Sequence, residues 1–290
     1  MTDPRSPRTL ELYARIMSEL RTAFGVVGDS VDFLQDTTAV SSWIEGKPKA
    51  LATKKLYYAT AKTVLRDIGN SNFREAEAFY GAKMAQYNEG LQRIAEEQEM
   101  TEREEELWVN WPDVIALREK LGANITDMSS FQDYVILCLY TYLPPVRLDY
   151  SPVRVVNDAM EAPEGNVLVC TDREMHFIIR EYKTVRKLGE QRIAVPKPLR
   201  EILGRWFDIN GSGWLLLTVN GTALTEVGLG QRIRYIFKTH TGRGSGVNIL
   251  RHSFITHVRR GEKSLKKQQK LAAAMGHSTA MNVLYRRLKN

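Results

Sequence analysis

The stretch VNILRHSFITHV, from Val247 to Val258, is the most informative in the chain. Its apolar residues recur at helical spacing, which predicts an amphipathic helix. Arg251 lies among these apolar residues, where a charge is costly unless it is paired. Two interpretations follow. Arg251 is either part of a structural ion pair or a ligand for a phosphate group, whose oxygens a guanidinium contacts through paired hydrogen bonds.

The next segment carries a glycine, a histidine and a tyrosine. In MGHS, which begins at Met275, Gly276 is expected to end one helix and to leave His277 near the start of the next. That next helix, TAMNVLYRRL, carries Tyr285 eight residues after His277. Taken alone, a tyrosine on an amphipathic helix is more often a packing residue than a catalytic one.

Together these residues resemble the C-terminal signature of the tyrosine recombinases, the phage-type integrases. The family pattern is H-x-x-R-H, then L-G-H, then a nucleophilic tyrosine. The order Arg251–His252, Gly276–His277 and Tyr285 is similar to it.

The two remaining basic residues of the family pattern have counterparts upstream. YTYLPPVRLDYSPV, from Tyr140, places Arg147 in a proline turn after an apolar helix, as in the family. EYKTVRKLGEQRIAVP, from Glu181, places Lys183 between two strand-like runs, with Lys187 as the alternative. The Pro-Pro-x-Arg-x-Asp-Tyr wording especially resembles recombinases of large DNA viruses and related mobile elements.

Three features depart from the family pattern. Asn248 occupies the position of the histidine three residues before the second arginine; it can donate a hydrogen bond but cannot exchange protons near neutral pH. His252 is expected to point elsewhere on the helix, so it is not assigned that role. The spacing from Arg251 to His277 is longer than usual, and five residues follow Tyr285, which leaves the mode of assembly open.

The resemblance implies a DNA strand transferase that uses no metal ion, ATP or other cofactor. Two arginines would clamp the scissile phosphate, with the histidine and the asparagine as further hydrogen-bond donors. The tyrosine would attack phosphorus, and the lysine would protonate the departing 5′ oxygen. The expected catalytic residues are Tyr285, Arg147, Lys183, Arg251, His277 and Asn248.

The implied partners are double-stranded DNA and further copies of the chain, as a dimer or tetramer on DNA. Two alternatives stay open. A type IB-like topoisomerase would use the same chemistry to relax supercoils, and a non-catalytic sequence-specific DNA-binding protein would have lost the chemistry. Asn248 is the sequence feature that favours the second alternative.

Element patterns predict a mainly α protein with a small β-sheet. The resemblance implies that it is arranged as a two-domain DNA clamp. Residues 1–104 are expected to form a helical core-binding domain that ends in an acidic linker. Residues 105–290 are expected to form the catalytic domain, with strands in NVLVC, HFIIREY and QRIAVP.

Charge and composition narrow the function class. The last 60 residues hold 14 Lys or Arg and one acidic residue, so their formal charge is +13, whereas the whole chain carries +7. Such asymmetry indicates a polyanionic partner for the C-terminal part, or a solvated basic surface. The sequence shows no secretory signal or membrane span, and its cysteines, Cys138 and Cys170, form no disulfide framework. We therefore expect a non-secreted protein in the host cytoplasm or nucleus, wherever its DNA lies.

Overall fold

The structure is a computed structural model that describes residues 5–161, 164–171, 173–261, 264–276 and 284–287. The chain divides into two compact units, Met1–Glu97 and Gln98–Asn290. The first unit is helical and the second combines helices with a small sheet, so the predicted fold class is confirmed. The division falls before the acidic helix Glu102–Leu107, which the sequence places across the domain boundary.

Helices build the first unit. Side-chain oxygens of Ser6 and Asp36 cap the first two of them by accepting backbone N–H groups. The third ends at Gly69, whose φ of 70° is a left-handed conformation that glycine adopts without strain. Leu20 and Tyr58 lie in the apolar core. The α-helices of this unit are α1 (Pro7–Ala23), α2 (Thr37–Glu45), α3 (Leu51–Ile68) and α4 (Arg74–Glu97).

The second unit alternates helices with four short strands in its described residues. The helices are α5 (Glu102–Leu107), α6 (Trp111–Gly122), α7 (Met128–Tyr142), α8 (Val185–Leu188), α9 (Lys197–Phe207), α10 (Glu226–Thr241), α11 (Val247–Gly261) and α12 (Leu265–Ala274). The strands are β1 (Val153–Val156), β2 (Asn166–Cys170), β3 (Met175–Ile179) and β4 (Gln191–Ala194). None of the helices in the described ranges is long and apolar enough to cross a membrane.

The strands form one mixed sheet in the order β1–β2–β3–β4. β1 runs parallel to β2, and the other two pairs are antiparallel. The sequence predicts β2, β3 and β4 but misses β1, a four-residue strand that follows Pro152 and is interrupted by the exposed Arg154. The connection between β3 and β4 contains Lys183, as predicted.

Helix α7 supports the loop that carries Arg147. All of residues 135–140 are buried, as the continuous apolar run VILCLY predicts. The helix begins at a capping box formed by Asp127 and Ser130. It ends at Tyr142, because Pro144 and Pro145 follow and proline cannot continue the backbone hydrogen bonds. The chain therefore turns away from a rigid, buried helix just before Arg147.

Candidate active site

Two hydrogen bonds fix the loop around Arg147. The Tyr140 hydroxyl donates to the Arg147 carbonyl at 2.6 Å, and the Arg147 N–H donates to Asp149 Oδ2 at 3.2 Å. Burial raises the pKa of the Asp149 carboxyl, against the opposing hydrogen bond from Arg147 and the charges of Arg251 and Arg147. Asp149 therefore lies beside both arginines and holds the backbone of the first one in place.

Arg251 is among the largest side chains that are fully buried, with 0% of its surface exposed. Its Nη1 donates to the Pro145 carbonyl at 3.1 Å, and its Nη2 donates to the Met275 carbonyl at 3.4 Å. Burial lowers the pKa of the guanidinium, and the nearby charge of Arg147 lowers it further, whereas Tyr285 raises it. A guanidinium stays protonated in proteins even so. Arg251 thus joins α11 to the Arg147 loop and to the end of α12.

The β3–β4 connection packs against the end of α12. The Thr184 hydroxyl donates to the Gly276 carbonyl at 2.9 Å, and Gln191 Nε2 donates to the Ala273 carbonyl at 3.2 Å. Gly276 has a φ of 65°, and a Cβ there would meet Thr184 Oγ1 at 3.4 Å, so glycine suits the position on both counts. Lys183 is exposed and directly precedes Thr184 in this contact.

Lys183 and Lys187 differ in their surroundings. Lys187 lies in the short helix α8 and is also exposed. Lys183 immediately precedes a residue that is bonded to Gly276, the neighbour of His277 in the chain. Lys183 is therefore next in the chain to a contact with the end of α12, whereas Lys187 lies three residues after that contact.

Tyr285 lies against Arg251 and His252. The guanidinium carbon of Arg251 is 5.4 Å from the centroid of the tyrosine ring, and the two side chains share a hydrogen bond. The His252 ring stacks on Tyr285 with centroids 4.5 Å apart and an interplanar angle of 18°. The structure therefore brings the expected nucleophile onto the second expected arginine.

The predicted C-terminal helix does not continue past Tyr285. Leu284 is helical, Tyr285 lies in a turn, and Arg286 and Arg287 have no regular structure. The reason is tertiary: the Arg287 N–H donates to Thr256 Oγ1 on α11 at 2.9 Å, and its Nη1 donates to the Leu284 carbonyl at 2.8 Å. These bonds bend the chain onto α11 and replace the helical pattern.

His252, which was expected to point elsewhere on the helix than the family histidine, contacts Tyr285. Its Nδ1 donates to the Tyr285 carbonyl at 2.7 Å, and its Nε2 lies 3.6 Å from Glu104 Oε1. Burial, followed by the charge of Arg287, lowers the pKa of His252 to about 4, although the Tyr285 carbonyl and Glu104 oppose this. A neutral ring suits a structural contact with Tyr285. The only sequence signal for the contact between His252 and Tyr285 is the Arg251–His252 pair itself.

The two remaining expected residues are less defined. His277 lies outside the described residues. Asn248 is exposed on α11, three residues before Arg251 and so about one helical turn away on the same side. Among the described residues, no cluster of histidine, cysteine and acidic side chains could hold a metal ion.

Comparison of the sequence with protein-family models and with curated proteins gives no match. Among solved structures, the site-specific recombinase XerH in a post-cleavage complex with palindromic difH DNA is similar, with a TM-score of 0.52, 14% identity and coverage of 87% of this chain and 66% of XerH. A pre-cleavage complex of XerH with difH gives a TM-score of 0.50 and 16% identity over 95% of this chain and 72% of XerH. The chain has the fold of the tyrosine recombinases.

Another recombinase structure, XerA, gives a TM-score of 0.47 and 14% identity over 99% of this chain and 90% of XerA. Within the tyrosine-recombinase fold, the structure gathers the Arg147 loop, the Lys183 hairpin, Arg251 and Tyr285. The end of α12, at Gly276, joins these parts through its contact with Thr184.

Proposed function

We propose that this protein is a site-specific DNA recombinase that cleaves and rejoins DNA through a 3′-phosphotyrosine on Tyr285. The observation that carries the proposal is the packing of Tyr285 on Arg251, whose guanidinium also binds the loop that leads to Arg147. A tyrosine packed on the Arg251 guanidinium, which in turn feels the charge of Arg147, would provide a nucleophile together with charge that stabilises a phosphorane-like transition state. The recombinase fold is its second support.

In the proposed step the Tyr285 hydroxyl gives its proton to water. Its oxygen bonds to phosphorus, while the bond from phosphorus to the 5′ oxygen breaks. Lys183 gives a proton to that oxygen and leaves a 5′ hydroxyl. Arg147 and Arg251 neutralise the charge that grows on the non-bridging oxygens. The phosphotyrosine retains the energy of the phosphodiester, so rejoining consumes no ATP.

Further donors complete the proposed site. Asn248, one turn before Arg251, would give a hydrogen bond to a phosphate oxygen without exchanging protons. His277 would act similarly from its position next to Gly276 in the chain. No metal ion or cofactor takes part in the proposed step.

The burial of Arg251 adds a requirement. Because none of its surface is exposed, its guanidinium can reach a phosphate only after a neighbouring group moves. Tyr285 is one such neighbour. Binding energy from DNA contacts elsewhere would drive this movement, since binding energy can be used to bring reacting groups into place.

The partner we propose is double-stranded DNA, held by the basic residues of the last 60 positions and by a helical core-binding domain over residues 1–104. We further propose a dimer or tetramer on DNA and an intracellular location. The Pro-Pro-x-Arg-x-Asp-Tyr motif supports a function in a large DNA virus or a related mobile element.

A nicked duplex taken from the DNA that flanks this gene tests the proposal. Cleavage near the nick releases a short strand, so the covalent intermediate accumulates as an SDS-resistant adduct. The wild type should form this adduct, and Tyr285→Phe should form none, because phenylalanine has no hydroxyl to attack phosphorus. Tyr235→Phe is the matched control, since Tyr235 is 57% exposed on α10 and should leave adduct formation unchanged.

Three results would contradict the proposal. Absence of an adduct with the wild type on every substrate from its own element would leave a DNA-binding protein without catalysis. An adduct that survives Tyr285→Phe would move the nucleophile elsewhere. Efficient relaxation of a plasmid that lacks a specific site, with no strand exchange between two sites, would assign the same chemistry to a topoisomerase.

A further inference from the structure

Three side chains bind the segment that carries Tyr285, a fourth lies in the segment itself, and the proposed chemistry uses none of the four. We call residues 284–287 the Tyr285 segment. Its tail-binding cluster consists of Glu104 on α5, His252 and Thr256 on α11, and Arg287 in the segment itself.

Glu104 is held in place by its own helix, independently of its contact with the Tyr285 segment. It is the third residue of α5 and forms a capping box with Thr101. The Thr101 N–H donates to Glu104 Oε2 at 3.0 Å, and the Glu104 N–H donates to Thr101 Oγ1 at 3.2 Å. This reciprocal pair fixes the carboxylate in one orientation at the start of the helix.

The same carboxylate binds Arg287 through a forked contact. Arg287 Nη2 donates to Oε1 at 2.9 Å, and Arg287 Nε lies 3.2 Å from both carboxylate oxygens. Only 12% of the Arg287 side chain and 17% of the Glu104 side chain are exposed. A planar, forked pair at this depth is stronger and more directional than a surface ion pair.

The cluster reaches Tyr285 at both its backbone and its ring. His252 donates to the Tyr285 carbonyl and stacks on the tyrosine ring, while Thr256 accepts the N–H of Arg287 two residues later. The carboxylate of Glu104 lies between the imidazole of His252 and the guanidinium of Arg287. One acidic group therefore ties the segment to the helix that carries Arg251.

We propose that Glu104 is a positioning residue that holds Tyr285 in register for attack on the phosphate, an inference that rests on the proposed function. Without this carboxylate, the charge of Arg287 loses its counter-charge in a nearly buried place, which is strongly unfavourable. Arg287 then turns toward water and takes the backbone after Tyr285 with it. The nucleophile loses its fixed position, although no group that touches the reacting atoms has changed.

The test compares Glu104→Gln with Glu105→Gln, the same chemical change on an exposed neighbour in α5. Adduct formation is measured in a single turnover with saturating nicked duplex, and DNA affinity is measured in a Tyr285→Phe background. Glu104→Gln should slow adduct formation on the order of 10²-fold, the effect of misplacing a reacting group, with little change in affinity. Thermal stability should change little, because Arg287 turns toward water instead of staying buried without a counter-charge. Glu105→Gln should match the wild type.

A double variant guards against a trivial loss of folding. Glu104→Gln together with Arg287→Gln leaves two amides that can bond to each other and no unpaired charge. It should form adduct faster than Glu104→Gln alone. Hydrogen exchange of a peptide covering the Tyr285 segment should be faster in Glu104→Gln than in the wild type or in Glu105→Gln.

The outcomes separate the two hypotheses. An unchanged single-turnover rate in Glu104→Gln, beside a wild type that forms adduct, overturns the positioning role alone. A parallel fall of rate, affinity and thermal stability also overturns it, because Glu104 is then only a structural residue. Absence of any wild-type adduct removes the proposed function, and the positioning role with it.

Discussion

Glu19 in the first unit and Glu104 in the second are both carboxylates that gather partners from distant parts of the chain. Glu19 accepts hydrogen bonds from Lys47 at 2.9 Å, from Lys49 at 3.3 Å and from the Tyr57 hydroxyl. It is more exposed, however, with 37% of its side chain accessible, compared with 17% for Glu104. Depth therefore makes the Glu104 contacts harder to replace by water.

The two carboxylates also differ in what they hold. Tyr57 lies in α3 and is 3% exposed in the apolar core of its unit, so Glu19 adds to packing that already fixes its partners. The Tyr285 segment makes polar contacts with α5 and α11 through Arg287, His252 and Thr256, in addition to the hydrogen bond between Tyr285 and Arg251. Glu19 therefore adds to the stability of its unit, whereas Glu104, in a similar charge cluster, is proposed to position a reacting group.

The largest expected effect is on adduct formation, in variants of the proposed catalytic arginines. Arg147→Ala should lower single-turnover adduct formation on the order of 10³-fold while DNA binding falls far less, because in the proposed function the guanidinium would stabilise charge that develops in the transition state. Arg251→Ala should behave alike. Arg154→Ala, an exposed arginine on β1, serves as the control. Equal losses in cleavage and binding would make Arg147 and Arg251 ordinary phosphate anchors.

Glu19→Gln tests whether Glu19 contributes to the stability of the fold and not to catalysis. Hydrogen bonds from Tyr57 and then Lys47 lower the pKa of Glu19 from 4.5 to about 2. A carboxylate with a lowered pKa stabilises the fold above its unfolded value and loses this contribution as pH falls from 4.5 toward 2. The variant should lose about 1 kcal/mol at neutral pH, given its exposure to solvent, and should converge with the wild type near pH 2. Urea unfolding measures this. An altered adduct rate at saturating DNA would break the comparison.

The smallest expected effect concerns the protonation of His252. Its lowered pKa means that the neutral ring stabilises the fold fully above 6.5, and that this contribution is lost as pH falls from 6.5 through about 4. Arg287 and Arg251 lower this pKa, whereas Glu104 and the Tyr285 carbonyl raise it. Removing one positive neighbour with Arg287→Gln should therefore raise the pKa of His252, as followed by an NMR titration of the imidazole. A fall or no change would contradict the assigned contact.

Local sequence patterns predict much of the fold. The apolar run in α7, the strand β2 and the hairpin around Lys183 each have a periodicity or composition that acts over a few residues. The sequence does not predict β1, because four residues give too short a pattern. Its strand conformation is stabilised by pairing with β2 rather than by local propensity. The sequence order of Arg147, Lys183, Arg251 and Tyr285 came from a family resemblance rather than from any local rule.

The contacts that hold Tyr285 could not be predicted from local sequence patterns. Glu104 and Arg287 are 183 residues apart, so no local spacing connects them. The acidic run around Glu104 suggests a solvated helix end, which describes its exposed members but not Glu104 itself. The helix predicted through Arg287 failed for the same reason, because bonds to Thr256 and Glu104 outweigh the local helical preference.

The complete burial of Arg251 has a consequence for the free protein. Inorganic phosphate and nucleotides offer oxyanions that a guanidinium would bind, yet neither can contact a side chain with no exposed surface. A small anion makes too few contacts to shift the groups that cover Arg251. A long duplex makes many phosphate contacts at once. In the proposed function, the burial of Arg251 would therefore keep its guanidinium away from small phosphates until a long duplex binds.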